Sequence, residues 1–180
     1  MKLQEKLNKE ILPELSKKYK VGILALPKLE KVVVNTGVGK IKESKDEIES
    51  IAKELTQITG QKPKECTSKT SISGFKLRAG QVVGLSVTLR GARMIDFTEK
   101  LANVVLPRSR EFEGISKRGF DRNNNLTIGI KEQIIFPEIK ADEIKQVWGM
   151  SITFAFKNTQ NKEILIDYFK ELGFVFEKEQ

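Results

Sequence analysis

The sequence contains no histidine and only one cysteine, Cys66, among its 180 residues. Without histidine the chain cannot form a His-ligated metal site or the Ser–His and Cys–His pairs of nucleophilic enzymes, and it lacks the most common general base. A single cysteine excludes an intrachain disulfide bond, and we interpret Cys66 as a packing residue and not as a reactive thiol. We therefore expect neither an enzyme nor a bound cofactor or metal.

Long apolar runs are also missing from the sequence. No uncharged apolar stretch approaches the roughly 20 residues that a membrane-spanning helix needs, and residues 1–5 lack the apolar core of a signal peptide. We expect a cytoplasmic protein without a membrane partner. The apolar fraction of 39% still suffices for a core, so we predict a single domain over residues 1–180, with an N-terminal helix and connector in residues 1–26.

The charge of the chain is basic and unevenly distributed. Thirty-two lysines and arginines against 24 acids give a net charge of +8, which favours an acidic partner such as nucleic acid or anionic lipid. Residues 60–91 alone hold six basic residues and one acid. Because cations neutralise phosphates, this stretch is the first candidate for contact with a polyanion.

Apolar periodicity predicts the regular elements. The predicted strands are residues 27–36, 66–72, 81–90, 126–130 and 151–156. The helical stripes are Leu3, Leu7, Ile11 and Leu15; Ile48, Ile51, Ala52, Leu55 and Ile58; Met94, Phe97, Leu101 and Val105; and Ile164, Leu165, Tyr168, Phe169 and Leu172. Ser44 and Glu47 predict a capping box at the second helix. This order predicts an α+β fold, an antiparallel sheet with helices on one face in a split β-α-β, ferredoxin- or RRM-like arrangement.

Three polar residues in or next to the predicted strands are candidates for contact with RNA. Asn35 and Thr88 fall on the outward faces of two strands, and Gln61 stands just before another. Amide and hydroxyl groups at such positions are able to read RNA edges, sugars or phosphates. Ordinary solvent-facing polarity is the alternative interpretation.

Phe75 is the most distinctive local feature. It lies between two predicted strands, flanked by Gly74, Lys76 and Arg78. An exposed ring beside cations could stack on a base, whereas a ring folded back under the loop would be part of the core. The pattern alone does not decide between these alternatives.

Other motifs favour structural roles. The Gly37 and Gly39 pair lacks the spacing of a phosphate-binding loop and is better explained as a turn that ends a strand. Trp148 is predicted to pack in the core, and Asp142 and Glu143 to form a solvated helix start. Residues 108–125 show little periodicity, so we predict a long flexible loop that becomes ordered against a partner.

Several motifs in order resemble the bacterial family of ribosomal protein five of the large subunit. They are residues 27–35 (PKLEKVVVN), 60–63 (GQKP), 71–78 (SISGFKLR), 87–91 (VTLRG) and 129–138 (GIKEQIIFPE). The sequence departs from the family at Glu113 and over residues 120–125. The resemblance implies a non-enzymatic structural protein, bound to the ribosome in its central protuberance, whose partners are 5S rRNA, large-subunit rRNA, P-site tRNA, a small-subunit head protein and neighbouring 5S-associated proteins.

The resemblance also implies roles for individual residues. Asn35, Gln61 and Thr88 match the positions that recognise 5S rRNA in the family, and the nearby cations expected to assist them are Lys62, Lys69 and Arg90. The loop from Ser73 to Gly80 matches the one that reaches toward P-site tRNA, which makes its contact candidates Ser73, Gly74, Phe75, Lys76 and Arg78. Residues 114–125 correspond to a region near the bridge to the small subunit.

Two rival functions fit the sequence less well. A free-standing RNA chaperone would need exposed aromatic residues on its strands, and the outward faces of the first and third predicted strands have none. An enzyme would need a convergent catalytic set, which the sequence does not offer.

Overall fold

The computed structural model describes residues 7–39, 44–109, 112–140, 144, 146–158 and 161–177. Five strands form one antiparallel sheet in the order β2-β3-β1-β5-β4. They are β1 (Lys28–Gly37), β2 (Lys64–Thr67), β3 (Val82–Leu89), β4 (Leu126–Ile130) and β5 (Met150–Lys157). The predicted α+β fold is confirmed.

Four helices accompany the sheet in the described part of the chain. They are α1 (Leu12–Tyr19), α2 (Lys45–Thr59), α3 (Gly91–Lys100) and α4 (Lys162–Glu171). A π-helical turn at Leu7–Ile11 precedes α1, just before Pro13, whose ring is incompatible with a regular helix interior. α3 continues through a π turn, Leu101–Val105, to Arg108. Leu3, Asp142 and Glu143 lie outside the described residues.

The chain divides into two compact units, each built from separate stretches of sequence. The first unit comprises residues 1–32, 90–128 and 153–180, and the second comprises residues 33–89 and 129–152. The prediction of a single domain stays a prediction.

The core of the first unit is rich in aromatic rings. Phe169 on α4 is fully buried and meets Phe154 edge-on at 5.4 Å and Phe174 at 5.2 Å between ring centroids. Each edge-to-face pair of this kind contributes about 0.5–1.5 kcal/mol of stability beyond that from burying the rings. The alternation of Ile152, Phe154 and Phe156 on β5 therefore marked the buried face correctly.

The core of the second unit is mainly aliphatic. α2 buries Ile48, Ile51, Leu55 and Ile58, as its helical stripe predicted, and β3 contributes Leu85, Val87 and Leu89. Trp148 is also buried, as predicted. One side of the sheet is thereby fixed as the inner side, which leaves the opposite side chains of β1 and β3 outward.

Two details of the predicted elements are wrong. β2 ends at Thr67, five residues before the predicted end, because the ladder with β3 shifts register at Cys66 and Thr67. Ser44 occupies the N-cap position of α2, but its side chain makes no capping hydrogen bond, so the predicted capping box is absent.

Candidate nucleic-acid interface

Asn35 and Thr88 lie on neighbouring strands, β1 and β3. Both side chains are exposed, while the residues on either side of each are buried. The period of two in a strand produces this alternation, because successive side chains point to opposite faces of the sheet. The outward placement predicted from the sequence is therefore confirmed for both residues.

Gln61 is brought to Thr88 by the end of α2. Gly60 follows the helix with φ of +68°, a left-handed conformation that glycine adopts without strain. The chain turns there, and the Gln61 side-chain amide donates a hydrogen bond to the Thr88 carbonyl oxygen over 3.3 Å. Two of the three predicted recognition residues are thus in direct contact.

Gly84 permits close approach between β1 and β3 beside Asn35. A Cβ atom at this position would lie 3.2 Å from the Thr36 carbonyl oxygen and 3.8 Å from the Asn35 side-chain oxygen. Packing and not a positive φ therefore favours glycine here. Ser151 on β5 donates a hydrogen bond to the Asn35 carbonyl oxygen over 3.4 Å. The sequence prediction missed Ser151, although its parity opposite to Ile152 could have found it.

The three predicted cations differ in their surroundings. Lys62 and Lys69 are exposed. Arg90 is exposed too, but its guanidinium donates to Glu30 over 3.0 Å, and Lys157 lies 3.9 Å from the same carboxylate oxygen. The hydrogen bond from Arg90 is the main cause that holds the pKa of Glu30 below its ordinary value. Arg90 is therefore a restrained cation whose charge is partly satisfied within the protein.

The loop between β2 and β3 forms a small hairpin of its own. Ile72 and Leu77 exchange two backbone hydrogen bonds of 3.0 and 3.1 Å, and a 3₁₀ turn, Ser73–Phe75, forms the tip. Lys76 follows in a left-handed conformation with φ of 49°. The loop is thus held in shape by its own backbone.

Phe75 stands at the tip of this hairpin with 73% of its surface exposed. Ser73, Gly74, Lys76 and Arg78 are exposed around it. The interpretation of Phe75 as a core residue is therefore wrong, because the short turn carries the ring away from the sheet. An exposed ring among cations has the composition of a stacking site.

A buried polar network supports the second unit from within. Glu54 on α2 accepts a hydrogen bond from the Trp148 indole over 2.7 Å, and the Gln133 side-chain oxygen accepts from the Trp148 backbone over 2.9 Å. Gln133 is fully buried and also donates to the Gln146 carbonyl oxygen over 2.7 Å. Buried polar groups need such partners. Sequence patterns could not pair Glu54 with a residue 94 positions away.

Residues 112–125 contact the rest of the first unit. Ile115 is buried and pairs with Phe176 in a parallel bridge, and the Phe120 ring stacks on Phe176 at 6.3 Å. Asp121 accepts hydrogen bonds from the backbone of Asn123 and Asn125 over 2.9 and 2.8 Å. The predicted flexibility of this segment in isolation stays a prediction.

Other kinds of site find no candidate in the described part of the chain. The described residues contain no group of three or more Cys, Asp or Glu side chains placed to hold a metal ion. No helix within the described ranges is long and apolar enough to cross a membrane.

The fold and the surface together define a class of protein, an α+β protein whose open sheet face and basic loop suit RNA. Two family models agree with this class. The model of the C-terminus of the ribosomal L5 family matches residues 82–176, and the model described as ribosomal protein L5 matches residues 23–78. The chain belongs to the ribosomal protein L5 family. It is therefore a structural constituent of the large ribosomal subunit, ribosome-bound in the cytoplasm and assembled with rRNA, in a family of structural proteins and not of enzymes.

Proposed function

We propose that this chain binds 5S rRNA through the outward face of β1 and β3. The proposal rests on the positions of Asn35, Thr88 and Gln61, which are exposed or half-exposed in the second unit. The Gln61 side chain is hydrogen-bonded to the Thr88 carbonyl oxygen. Asn35 and Gln61 side chains both donate and accept hydrogen bonds, which suits base edges and 2′-hydroxyls. Lys62 and Lys69 of the same unit, and Arg90 of the first unit, neutralise phosphates of the bound RNA.

Single truncations on this face test the proposal. Asn35→Ala and Thr88→Ala each weaken binding to 5S rRNA about fivefold or more, because each removes side-chain hydrogen bonds to RNA worth roughly 1 kcal/mol or more. Both positions are exposed, so the melting temperature stays close to that of the wild type. Affinity is measured by filter binding and stability by circular dichroism. Unchanged affinity in both variants would refute the proposal.

We further propose that the hairpin at residues 73–80 contacts the elbow of P-site tRNA and not 5S rRNA. The exposed Phe75 ring supports stacking on nucleotides, and Lys76 and Arg78 add charge beside it. The hairpin closes its own hydrogen bonds between Ile72 and Leu77, so it does not depend on the face that carries Asn35.

Replacing Phe75 with alanine separates these two roles. We expect Phe75→Ala to leave 5S affinity unchanged and to weaken P-site tRNA binding in assembled ribosomes about fivefold or more, since one stacking contact contributes roughly 1–3 kcal/mol. Ile72→Ala, a change of a second exposed apolar residue in the same loop, serves as the control. A loss of 5S affinity in Phe75→Ala would contradict the division of roles.

The remaining roles proposed for the chain concern its place in the ribosome. We propose that it lies in the central protuberance, helps to anchor 5S rRNA to large-subunit rRNA beside other 5S-associated proteins, and bridges to a small-subunit head protein. Residues 114–125, with the exposed Arg118 and Arg122, are the candidate bridge region. Crosslinking from position 122 in assembled ribosomes tests the bridge, and crosslinks confined to the large subunit would exclude it.

A further inference from the structure

One carboxylate of the first unit lies against two cations that come from different strands. The Glu30 Oε1 atom accepts a hydrogen bond from Arg90 Nη1 over 3.0 Å and lies 3.9 Å from Lys157 Nζ. The sheet topology explains this meeting. Because β1 lies between β3 and β5 in an antiparallel sheet, its first residues lie beside the ends of both neighbours. The fold thus gathers one acid and two bases that are far apart in sequence.

The two cations are more exposed than the carboxylate that joins them. The Glu30 side chain is 30% exposed, whereas the side chains of Arg90 and Lys157 are 56% and 64% exposed. A guanidinium group has five N–H donors and an ammonium group has three, and the hydrogen bond to Glu30 uses one of those of Arg90. The cations can therefore hold Glu30 and still donate to an anion that approaches from solvent.

Both cations point away from the core. Arg90 has an extended backbone, with φ of −141° and ψ of 160°, and comes two residues after the exposed Thr88. Lys157 ends β5 directly after Phe156, which is buried. Because successive side chains of an extended chain alternate in direction, Arg90 faces as Thr88 does. Cations in this position suit the phosphate backbone of an RNA whose bases and sugars meet the outward polar residues.

Glu30 reduces the cost of keeping the two cations together. Like charges that are held close repel each other, and an anion placed between them offsets this repulsion. Two bases and one acid still leave the group positive, so the group attracts a phosphate. Because the shared carboxylate already restrains Arg90 and Lys157, a phosphate that binds both loses less side-chain entropy than it would with two unrestrained cations.

We propose that Glu30 is a positioning residue, which holds Arg90 and Lys157 together as a site for one phosphate of the bound RNA. Lys157 thereby becomes a further RNA contact. The inference deepens the proposed binding of 5S rRNA and rests on it. It also predicts an effect opposite to that of charge alone, because removing an acid from a basic surface ordinarily strengthens its binding to any RNA.

Glu30→Ala tests the sign of this effect. We expect the variant to bind 5S rRNA about threefold more weakly or worse, because both cations lose their shared restraint. Glu171→Ala is the matched control, since it removes one exposed acid from α4 of the same unit, and its 5S affinity should equal or exceed that of the wild type. Filter binding measures affinity, and circular dichroism verifies folding. Unchanged or tighter binding by folded Glu30→Ala overturns the inference.

Removing both cations shows whether Glu30 acts through them. In an Arg90→Ala/Lys157→Ala background, Glu30→Ala should no longer weaken binding to 5S rRNA, and a persistent loss would overturn the inference. The two cation substitutions together should reduce the magnitude of the slope of log affinity against log salt by about 0.7–0.9, the value for one phosphate. A reduction about twice as large would indicate two separate phosphates and contradict a shared site.

Failure of the 5S proposal is recognised separately in the same experiment. If the wild type prefers 5S rRNA to an unrelated folded RNA of equal length, and Asn35→Ala or Thr88→Ala weakens that binding, the proposed function stands. The result for Glu30→Ala then decides the inference alone. If the wild type shows no preference and neither of those two variants changes the affinity, the proposed function is refuted, and the positioning role that rests on it is refuted too.

Discussion

At the scale of single residues, Asp167 joins two helices that are distant in sequence. Asp167 on α4 accepts hydrogen bonds from Lys18 and from the Tyr19 hydroxyl on α1, the latter over 2.7 Å. Burial acts to raise the pKa of Asp167, but these hydrogen bonds outweigh it and hold the pKa below its ordinary value. The same contact raises the pKa of Tyr19 to about 12. The hydrogen bonds between α1 and α4 therefore depend on the ionised carboxylate of Asp167.

The pH dependence of this contact follows from the two shifts. The stabilising contribution of Asp167 is complete above its ordinary pKa of 3.8 and is lost as the pH falls below that value. The contribution of Tyr19 is complete below its ordinary pKa of 10.0 and is lost as the pH rises toward about 12. Near neutral pH both contributions are fully present.

Asp167→Asn should separate these contributions. We expect a loss of about 1 kcal/mol in the free energy of unfolding at neutral pH, because the charged acceptor is removed, and a return of the Tyr19 pKa toward 10.0. Ultraviolet absorbance titration reports the tyrosine, in a Tyr168→Phe background that leaves Tyr19 as the sole tyrosine of the chain. A Tyr19 pKa that stays near 12 in Asp167→Asn would show that burial and not Asp167 causes the shift.

At the scale of elements, the separation of β1 and β3 depends on Gly84. A Cβ atom there would lie 3.2 Å from the Thr36 carbonyl oxygen, which is a tight contact, and 3.8 Å from the Asn35 side-chain oxygen, which is an ordinary one. The absence of a side chain at Gly84 therefore permits the close approach of β1 and β3 at this point. A glycine in a strand interior usually weakens the strand, but Gly84 allows close approach beside Asn35, the residue proposed to recognise 5S rRNA.

Gly84→Val tests this role of the glycine. We expect a loss of about 1–3 kcal/mol in stability from overpacking and a fall in 5S affinity of tenfold or more, because the tight contact with the Thr36 carbonyl oxygen would shift β1, which carries Asn35. Gly129→Val is the control, since Gly129 is also a strand glycine, and its added Cβ would meet nothing within 4 Å. Guanidinium unfolding and filter binding measure both variants. Similar effects at the two positions would indicate a general cost of β-branched residues and not close approach.

The sequence predicted those elements whose signal is local. Alternation along β3 and β5 and the stripe on α2 marked the buried faces correctly, because side-chain period and burial coincide there. The end of β2 and the direction of Phe75 could not be predicted. The end of β2 depends on its register with β3, and the direction of Phe75 depends on a hairpin closed by two backbone hydrogen bonds. Neither of these features leaves a periodic pattern in the sequence. The hydrogen bond between Glu54 and Trp148 could not be predicted either, because it joins residues that only the tertiary fold brings together.

At the scale of the whole molecule, net charge and specific hydrogen bonding should affect RNA binding in different ways. The charge of +8 attracts any RNA, and each phosphate that is neutralised contributes about −0.7 to −0.9 to the slope of log affinity against log salt. Asn35, Gln61 and Thr88 carry no charge, so the hydrogen bonds that we propose they make to RNA would add affinity without adding to that slope. Discrimination between 5S rRNA and an unrelated folded RNA of equal length should therefore persist as salt rises.

Measuring RNA affinity over a series of salt concentrations for two variants separates the contribution of charge from that of hydrogen bonding. Lys62→Ser should reduce the magnitude of the salt slope by about 0.7–0.9 for both RNAs, because one phosphate contact is lost from each complex. Thr88→Ala should leave the slope unchanged and lower the affinity for 5S rRNA alone. If instead both variants reduced the slope and weakened the two RNAs equally, the outward face would be a generic basic surface. Recognition of 5S rRNA would then have to come from elsewhere in the chain, because charge alone does not distinguish one folded RNA from another.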